Sequence, residues 1–252
     1  KVIELNPNYV NGYYNIGVAL QNQGNIEDAI KAYQKCISIN ENYAESYINL
    51  GIALRQLGKT EDSIEVFTKI LLIKPDFAEA YYHLVPSLRG IYFKKHNSDL
   101  VNIVTSLFDK KTLVRPRDII DAGLSLLKLD IKLKKYLESD YLDGEELKPL
   151  EVIADLSKLP LLLKLMSVCP ISDIDLERLL KKLRAKLIMS IDDYISSSDL
   201  LAFQSALALQ CFTNEYIYDK TKDEEKALLL LEETVKLDIS NNNPPSAQKI
   251  LT

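Results

Sequence analysis

The first third of this sequence repeats itself with a period of 34 residues. Tyrosines, leucines, aromatic pairs and glycines recur at that spacing, as Tyr13, Tyr47 and Tyr81; Leu20, Leu54 and Leu88; Tyr33 and Phe67; Gly17 and Gly51; Gly24 and Gly58. A fixed period of this length is typical of helix pairs that stack into an array, since one pair cannot bury its own apolar face. The period therefore predicts an all-α fold, and it favours a chain that holds other proteins over one that performs chemistry.

Each period contains two amphipathic helices separated by a glycine turn. In residues 10–43 the first helix carries apolar side chains at the i, i+3, i+4 and i+7 spacing, and Gly24 then interrupts it, because glycine tolerates the left-handed conformation of a helix cap. The small Gly17 lets the paired helices approach closely, and Tyr33 fills the remaining space. Pro75, near the end of the next period, stands where a helix must stop.

These residues resemble those of the tetratricopeptide repeat, which implies a short right-handed superhelix of helix-turn-helix units. The predicted array covers residues 1–90 and consists of a partial unit, two complete units and a degenerate third unit, at residues 1–9, 10–43, 44–77 and 78 onward. In the third unit Val85 stands at the position of the repeat glycine, and Pro86 enters the first helix. We therefore expect the array to end there.

Residues 91–240 keep the helical signal without the period, so we expect a non-repeating helical domain that caps the array. Pro116 and Pro160 each stand at the start of an apolar helical pattern, as prolines do at the first position of a helix. Residues 241–252 contain a run of asparagines followed by two prolines, which by composition is a linker or tail.

Two helix starts in this domain are marked by capping residues. Ser172 precedes Asp175 by three positions, and Thr221 precedes Glu224 by three positions, which is the spacing of a capping box. Arg184 shares a helix with three lysines and a stripe of leucines. We interpret these cations as the solvated face of that helix.

Two segments of the second half resemble a helical region of long bacterial tetratricopeptide proteins. They lie at residues 170–187 and 203–216, and the resemblance covers about residues 159–225. In those proteins the region links the repeats to a class I S-adenosylmethionine-dependent methyltransferase domain. This sequence contains no strand followed by a glycine-rich turn, so we expect no cofactor here.

Composition excludes several classes of function. The net charge of −5, with neither half basic, argues against nucleic acid as the main partner. Without an apolar run of about 18 residues we predict no membrane span. Cys36, Cys169 and Cys211 lack metal-ligand spacing, which favours a reduced, cytoplasmic setting, and His83 and His96 are too few for a zinc site. We expect no catalytic residues and no metal ligands.

The best candidates for binding lie on the first helix of each unit. Asn15, Asn49 and His83 share one repeat position. In similar superhelical repeats, such as those of O-linked N-acetylglucosamine transferase, asparagines at this position line a concave groove and bind a peptide backbone. A carboxamide offers a donor and an acceptor, so it matches a peptide group without reading a side chain. The alternative is that these are ordinary polar residues on an exposed helix face.

Other side chains flank this position on the same helices. The neighbours that we expect in the groove are Tyr14, Gln21, Arg55, Gln56, Tyr82 and Arg89. Tyr14 and Tyr82 either anchor apolar side chains of a partner or pack between repeats, and the sequence leaves both open. Val18 and Ile52 occupy the positions that need asparagine in the chaperone-binding, carboxylate-clamping subtype, which we therefore reject.

A polar group in the second half has two interpretations. Gln210 with Asn214 and Cys211 with Glu215 form two i, i+4 pairs on one helix. We favour a hydrogen-bonded network that fixes helix packing over a polar docking site. Cys211 as a nucleophile needs a base within reach, and both histidines lie in another region.

We predict a protein–protein interaction module that holds an extended peptide or partner protein in the groove. The alternative is the substrate-recruiting and linking portion of a larger methyltransferase whose catalytic domain is absent from these residues. A third interpretation is self-association through the exposed N-terminal face of the repeats.

Overall fold

The structure, a computed structural model, describes residues 6–110, 112–138, 148–189, 198–213 and 221–241. These ranges are helical with short connections and contain no strand, as the sequence predicts. The chain divides into two compact units, one formed by residues 1–92 and 97–122 and the other by residues 93–96 and 123–252. None of the helices in the described ranges is both long and apolar enough to cross a bilayer.

Five helices of the first unit follow the 34-residue period. They are α1 (Val10–Asn22), α2 (Ile26–Ile39), α3 (Ala44–Gln56), α4 (Thr60–Ile73) and α5 (Ala78–Leu88). The odd-numbered helices begin at the three predicted repeat starts. Helices α1 and α3 pair with α2 and α4 respectively, and α3 also contacts α2 of the preceding repeat. Each helix pair thus buries its apolar face against the next pair.

A glycine facing an aromatic ring brings the two helices of each complete repeat together. A Cβ atom on Gly17 would lie 2.4 Å from the Tyr33 ring, and one on Gly51 would lie 2.4 Å from the Phe67 ring. Both rings are fully buried. Ser63 strengthens the second contact by donating its hydroxyl to the Gly51 carbonyl at 2.8 Å. The predicted close approach of the paired helices is therefore confirmed.

The turns between paired helices are also the same in both repeats. Gly24 and Gly58 adopt φ of +82° and +75°, a left-handed conformation that costs glycine little. The N–H groups of Asn25 and Lys59 donate to the Leu20 and Leu54 carbonyls, each at 2.9 Å. This hydrogen bond, made by the residue after the left-handed glycine, satisfies a carbonyl at the helix end.

The third unit departs from the pattern later than the sequence predicts. Pro86 does not stop α5, which continues to Leu88, and Val85 is buried within it. The turn follows at Gly90, with φ of +65°. Helix α6 (Ser98–Leu107) comes next, ends one period after α4 and contacts α4. The first unit therefore includes residues 97–122, which the sequence analysis assigned to the second domain.

The remaining helices do not repeat. They are α7 (Pro116–Lys128), α8 (Ile131–Leu137), α9 (Pro149–Leu156), α10 (Pro160–Val168), α11 (Ile174–Met189), α12 (Ser198–Thr213) and α13 (Lys222–Ser240). As predicted, Pro116 and Pro160 are first residues of helices. In the second unit α12 packs on α9 and α10, and α11 contacts α8, α9 and α13. Its core is rich in leucine, including the fully buried Leu162, Leu179 and Leu183.

Capping in the second unit agrees with the sequence at one helix and differs at another. At α13 the Thr221 hydroxyl accepts from the Glu224 N–H, and the Glu224 carboxylate accepts from the Thr221 N–H, which confirms the predicted capping box. At α11 the side chain that accepts a helix N–H is Asp173, from Leu176 at 3.1 Å. The predicted cap Ser172 is therefore one residue too early. Lys128 holds the same aspartate through a 2.7 Å ion pair.

Arg184 corrects the prediction of a uniformly solvated face on α11. Its guanidinium donates to the Glu224 carboxylate at 2.8 Å, and the two side chains are 13% and 1% exposed. Burial acts to raise the pKa of Glu224, but hydrogen bonds from Thr221 and Arg184 outweigh it and hold the pKa below its ordinary value. The pair therefore joins α13 to α11 by a buried charge contact.

We expect Gly51→Ala to lower the free energy of unfolding by about 1–3 kcal/mol, because the new methyl group overlaps the Phe67 ring. Urea denaturation of the whole chain measures the loss. In a Phe67→Leu background the same substitution should cost less, since the smaller side chain leaves room. An equal cost in both backgrounds would show that the ring is not what excludes the methyl group.

We expect Arg184→Met to destabilise the docked α13 by about 3–5 kcal/mol, because it leaves a buried carboxylate without its cation. Adding Glu224→Gln should recover part of this loss. The contribution of a carboxyl whose pKa is lowered on folding is present at neutral pH and disappears as pH falls through that lowered pKa. The penalty of the single substitution should therefore shrink in acid. Amide hydrogen exchange in α13 measures it, and a pH-independent penalty contradicts the assignment.

Candidate peptide-binding groove

The first helices of the three repeats form the candidate site. Helix α1 contacts α3, and α3 contacts α5, so the three helices lie side by side. Asn15, Asn49 and His83 occupy one repeat position on them; we call these three residues the polar row. Asn15 is exposed, and Asn49 and His83 are half-buried. The structure therefore leaves each member of the row accessible to some degree.

Asn49 is held in place by the preceding repeat. Its carboxamide nitrogen donates to the Tyr14 hydroxyl at 3.2 Å. Tyr14 is itself packed between aromatic rings, with its centroid 6.2 Å from that of Tyr33 and 5.3 Å from that of Tyr43. Tyr14 thus has the packing role that the sequence left open as one of two. The hydrogen bond leaves the Asn49 carbonyl oxygen and one N–H for another partner.

A second set of polar contacts runs across the first two repeats. The Tyr33 hydroxyl donates to the Gln21 carbonyl oxygen at 2.8 Å, and the Gln21 amide donates to the Gln56 carbonyl oxygen at 3.0 Å. Burial, and secondarily Tyr14, raises the pKa of Tyr33 to about 12, so its hydroxyl stays protonated and remains a donor. The sequence predicts both glutamines near the groove. It does not predict that Tyr33 orients them, because it assigns this tyrosine to the core.

His83 lies in an aromatic and cationic environment. Its ring stacks on Phe67 at a centroid distance of 5.9 Å, and Tyr82 meets it edge-on at 5.2 Å. Arg55 donates to the His83 carbonyl at the long distance of 3.5 Å. Burial first, and then the charge of Arg55, lowers the pKa of the imidazole, while Glu79 acts against them. A neutral imidazole has one donor and one acceptor, the same pair that a carboxamide offers.

The two remaining candidates have different surroundings. Tyr82 is 73% exposed, so most of its ring can contact a partner. Arg89 instead forms a 3.2 Å ion pair with Asp118. It also lines a cavity of about 640 Å³ between the end of α5 and the start of α7, together with Thr112, Leu113, Val114, Arg115 and Asp118. Because Arg89 is paired with Asp118, its guanidinium is less available to a ligand in the groove than the sequence predicts.

Two of the cysteines lie in buried surroundings that keep their thiols protonated. Cys36 is buried and its sulfur accepts from the Ser46 hydroxyl at 2.9 Å, and burial raises the pKa of the thiol. Burial also raises the pKa of Cys169 to about 11. Within the described ranges no three His, Cys, Asp or Glu side chains form a group that could hold a metal ion. Gln210 is fully buried, whereas Asn214 and Glu215 lie outside the described residues.

Comparison with known protein families identifies tetratricopeptide repeats within residues 10–65. Residues 10–43 match one family model described as tetratricopeptide repeat, and residues 32–65 match a second model with that description. No curated protein matches the chain. Tetratricopeptide repeats are in general non-catalytic and mediate protein–protein interaction. The resemblance of residues 159–225 to methyltransferase-linking regions stays a prediction.

We expect Arg55→Gln to raise the pKa of His83, because removing the nearby cation makes protonation of the imidazole less unfavourable. The shift should be partial, since burial is the larger cause. An NMR titration of the imidazole protons measures it, and a His96→Asn background leaves His83 as the single histidine signal. An unchanged or lowered pKa contradicts the proximity of the two side chains.

Proposed function

We propose that this chain binds an extended peptide segment of a partner protein along the polar row of α1, α3 and α5. The observation that carries the proposal is the fixed carboxamide of Asn49. Its hydrogen bond to Tyr14 costs the side chain its rotational freedom before any ligand arrives. A prearranged donor and acceptor binds more tightly, because less conformational entropy is lost on binding.

The spacing of the row suits a peptide backbone. Helices packed side by side lie about 8–10 Å apart, and an extended chain covers ~3.3–3.6 Å per residue. Each member of the row would then meet about every third residue of the ligand. Such contacts go to peptide groups, so affinity depends little on the ligand sequence, and Tyr82 supplies an exposed aromatic surface for side-chain selection.

His83 continues the row in a form that depends on pH. With its pKa lowered by burial and by Arg55, the imidazole is neutral at neutral pH and offers a donor and an acceptor. Protonation converts it into a donor at both nitrogens. The third contact with a peptide group is therefore strongest above the pKa of this histidine.

A second surface of the repeats suits association with another protein chain or another copy. Ile16 of α1 is 41% exposed, while its counterpart one repeat later, Leu50 of α3, is 5% exposed. The two residues occupy the same repeat position, and Leu50 packs against Ala29, Ile30 and Tyr33 of the preceding repeat. Self-association through this N-terminal repeat face is the competing source of a dimer, and Ile16→Glu tests it.

We expect the double variant Asn15→Ala/Asn49→Ala to weaken peptide binding by about 1–3 kcal/mol, since one net hydrogen bond contributes ~0.5–1.5 kcal/mol. The probe is a peptide selected from a random display library on the wild-type chain, and fluorescence anisotropy measures its affinity. Methylating the backbone nitrogens of the probe peptide should lower its affinity more than replacing its side chains by alanine does.

Tyr14→Phe is the matched control for this experiment. It removes the hydroxyl that Asn49 donates to, yet keeps the carboxamide and the packed ring. We expect a smaller loss of affinity than in the double variant. An unchanged affinity in the asparagine double variant, with the fold intact by circular dichroism, would refute the polar row as the binding site.

A further inference from the structure

Helix α13 leaves several large apolar side chains in solvent. Of its 19 residues, only Glu224 is fully buried. Leu228, Leu231 and Val235 share one side of the helix and are half-buried. Leu229, Leu230 and Leu237 are instead 61%, 66% and 62% exposed. We call these last three residues the leucine stripe.

The leucine stripe has the spacing of a helix–helix seam. Lys226, Leu230, Glu233 and Leu237 follow one another at intervals of four, three and four residues, as core positions do in a coiled coil. At 3.6 residues per turn these four positions and Leu229 fall within an arc of roughly 100°. An exposed apolar arc rimmed by charge marks an interaction surface more often than an ordinary solvent face.

Three charged residues lie in the arc, Lys222, Lys226 and Glu233, and the pair formed by Lys226 and Glu233 determines which partner fits. Glu233 acts electrostatically on Lys236 without forming an ion-pair contact in the described part of the chain. Lys226 has a 3.8 Å contact to the exposed Asp223. By contrast, Lys236 and Glu232, next to the arc, pair with each other at 2.6 Å. When two copies of the helix lie antiparallel, a lysine and a glutamate seven residues apart on each helix come opposite the glutamate and the lysine of the other.

We propose that the leucine stripe binds the same surface of a second copy, with the two α13 helices antiparallel. Lys226 of one copy then meets Glu233 of the partner subunit, and twofold symmetry makes this contact twice. Leu229 and Leu230 of both copies cover one another between the two ion pairs, and Leu237 lies beyond Glu233, against the aliphatic part of the partner's Lys222. A parallel arrangement would place lysine against lysine and glutamate against glutamate, which is repulsive.

Two features favour a second copy over other occupants. The charges of the surface are complementary to those of an antiparallel copy of itself, and binding to an unrelated partner would give no reason for this arrangement. The helix carries three lysines against six carboxylates, so an anionic membrane surface would repel it. One helix per copy is a small interface, and we expect a reversible dimer with a dissociation constant on the order of micromolar or weaker.

The test is the mass in solution over a concentration series, measured by sedimentation equilibrium on the full chain. The wild type should rise from 28.6 kDa toward twice that mass. Lys226→Glu and Glu233→Lys should each stay monomeric, because each places like charges in contact. The double variant Lys226→Glu/Glu233→Lys should regain the wild-type dimer, and an equimolar mixture of the two single variants should form a heterodimer.

Two controls keep the result specific. Glu232→Lys makes the same charge change one residue earlier, outside the arc, and should dimerise like the wild type. Ile16→Glu alters the N-terminal repeat face and should also leave the dimer intact. The proposal is overturned if the wild type stays monomeric, if Glu233→Lys dimerises normally, if the charge swap fails to restore a dimer, or if Ile16→Glu abolishes it. Circular dichroism verifies that each variant keeps its helices.

Discussion

The close contact between a backbone glycine and an aromatic ring determines the geometry of the repeats. At Gly17 and Gly51 there is no room for even a methyl group, because the rings of Tyr33 and Phe67 lie against the helix backbone. This contact sets the distance between paired helices. The turns at Gly24 and Gly58 set the angle between the two helices that they connect. The candidate residues on α1 and α3 take their positions from helices fixed in this way.

Where the period persists, the sequence was sufficient to predict the structure. The repeat starts and the turn glycines depend on local chemistry, so they can be recognised before the fold is known. The same is true of the Thr221 capping box, which lies outside the period. The end of the array was harder to predict. Pro86 suggests a break, but it lies in the last turn of α5, which ends at Leu88, so the N–H that proline lacks removes one hydrogen bond close to the helix end. Packing, which a sequence does not display, decides such cases.

The candidate site follows the same division. The alignment of Asn15 with Asn49 comes directly from the period, whereas the contact of Asn49 with Tyr14 depends on how two neighbouring repeats meet. Arg184 is the clearest failure of pattern reasoning. Its lysine neighbours suggest a solvated face, yet the side chain is only 13% exposed and pairs with a buried carboxylate 40 residues later. Long-range charge pairing leaves no periodic trace in a sequence.

The aromatic residue opposite each glycine has a consequence beyond packing. Tyr33 reaches from the core to Gln21 through its hydroxyl, and Phe67 reaches His83 through its ring face. The first repeat therefore presents an oriented amide, and the third unit presents an imidazole stacked on a ring of the second repeat. Exchanging Tyr33 for phenylalanine would remove the hydroxyl that orients Gln21. The identity of one buried aromatic residue thus determines which polar group is held in a fixed position at the surface of the repeat.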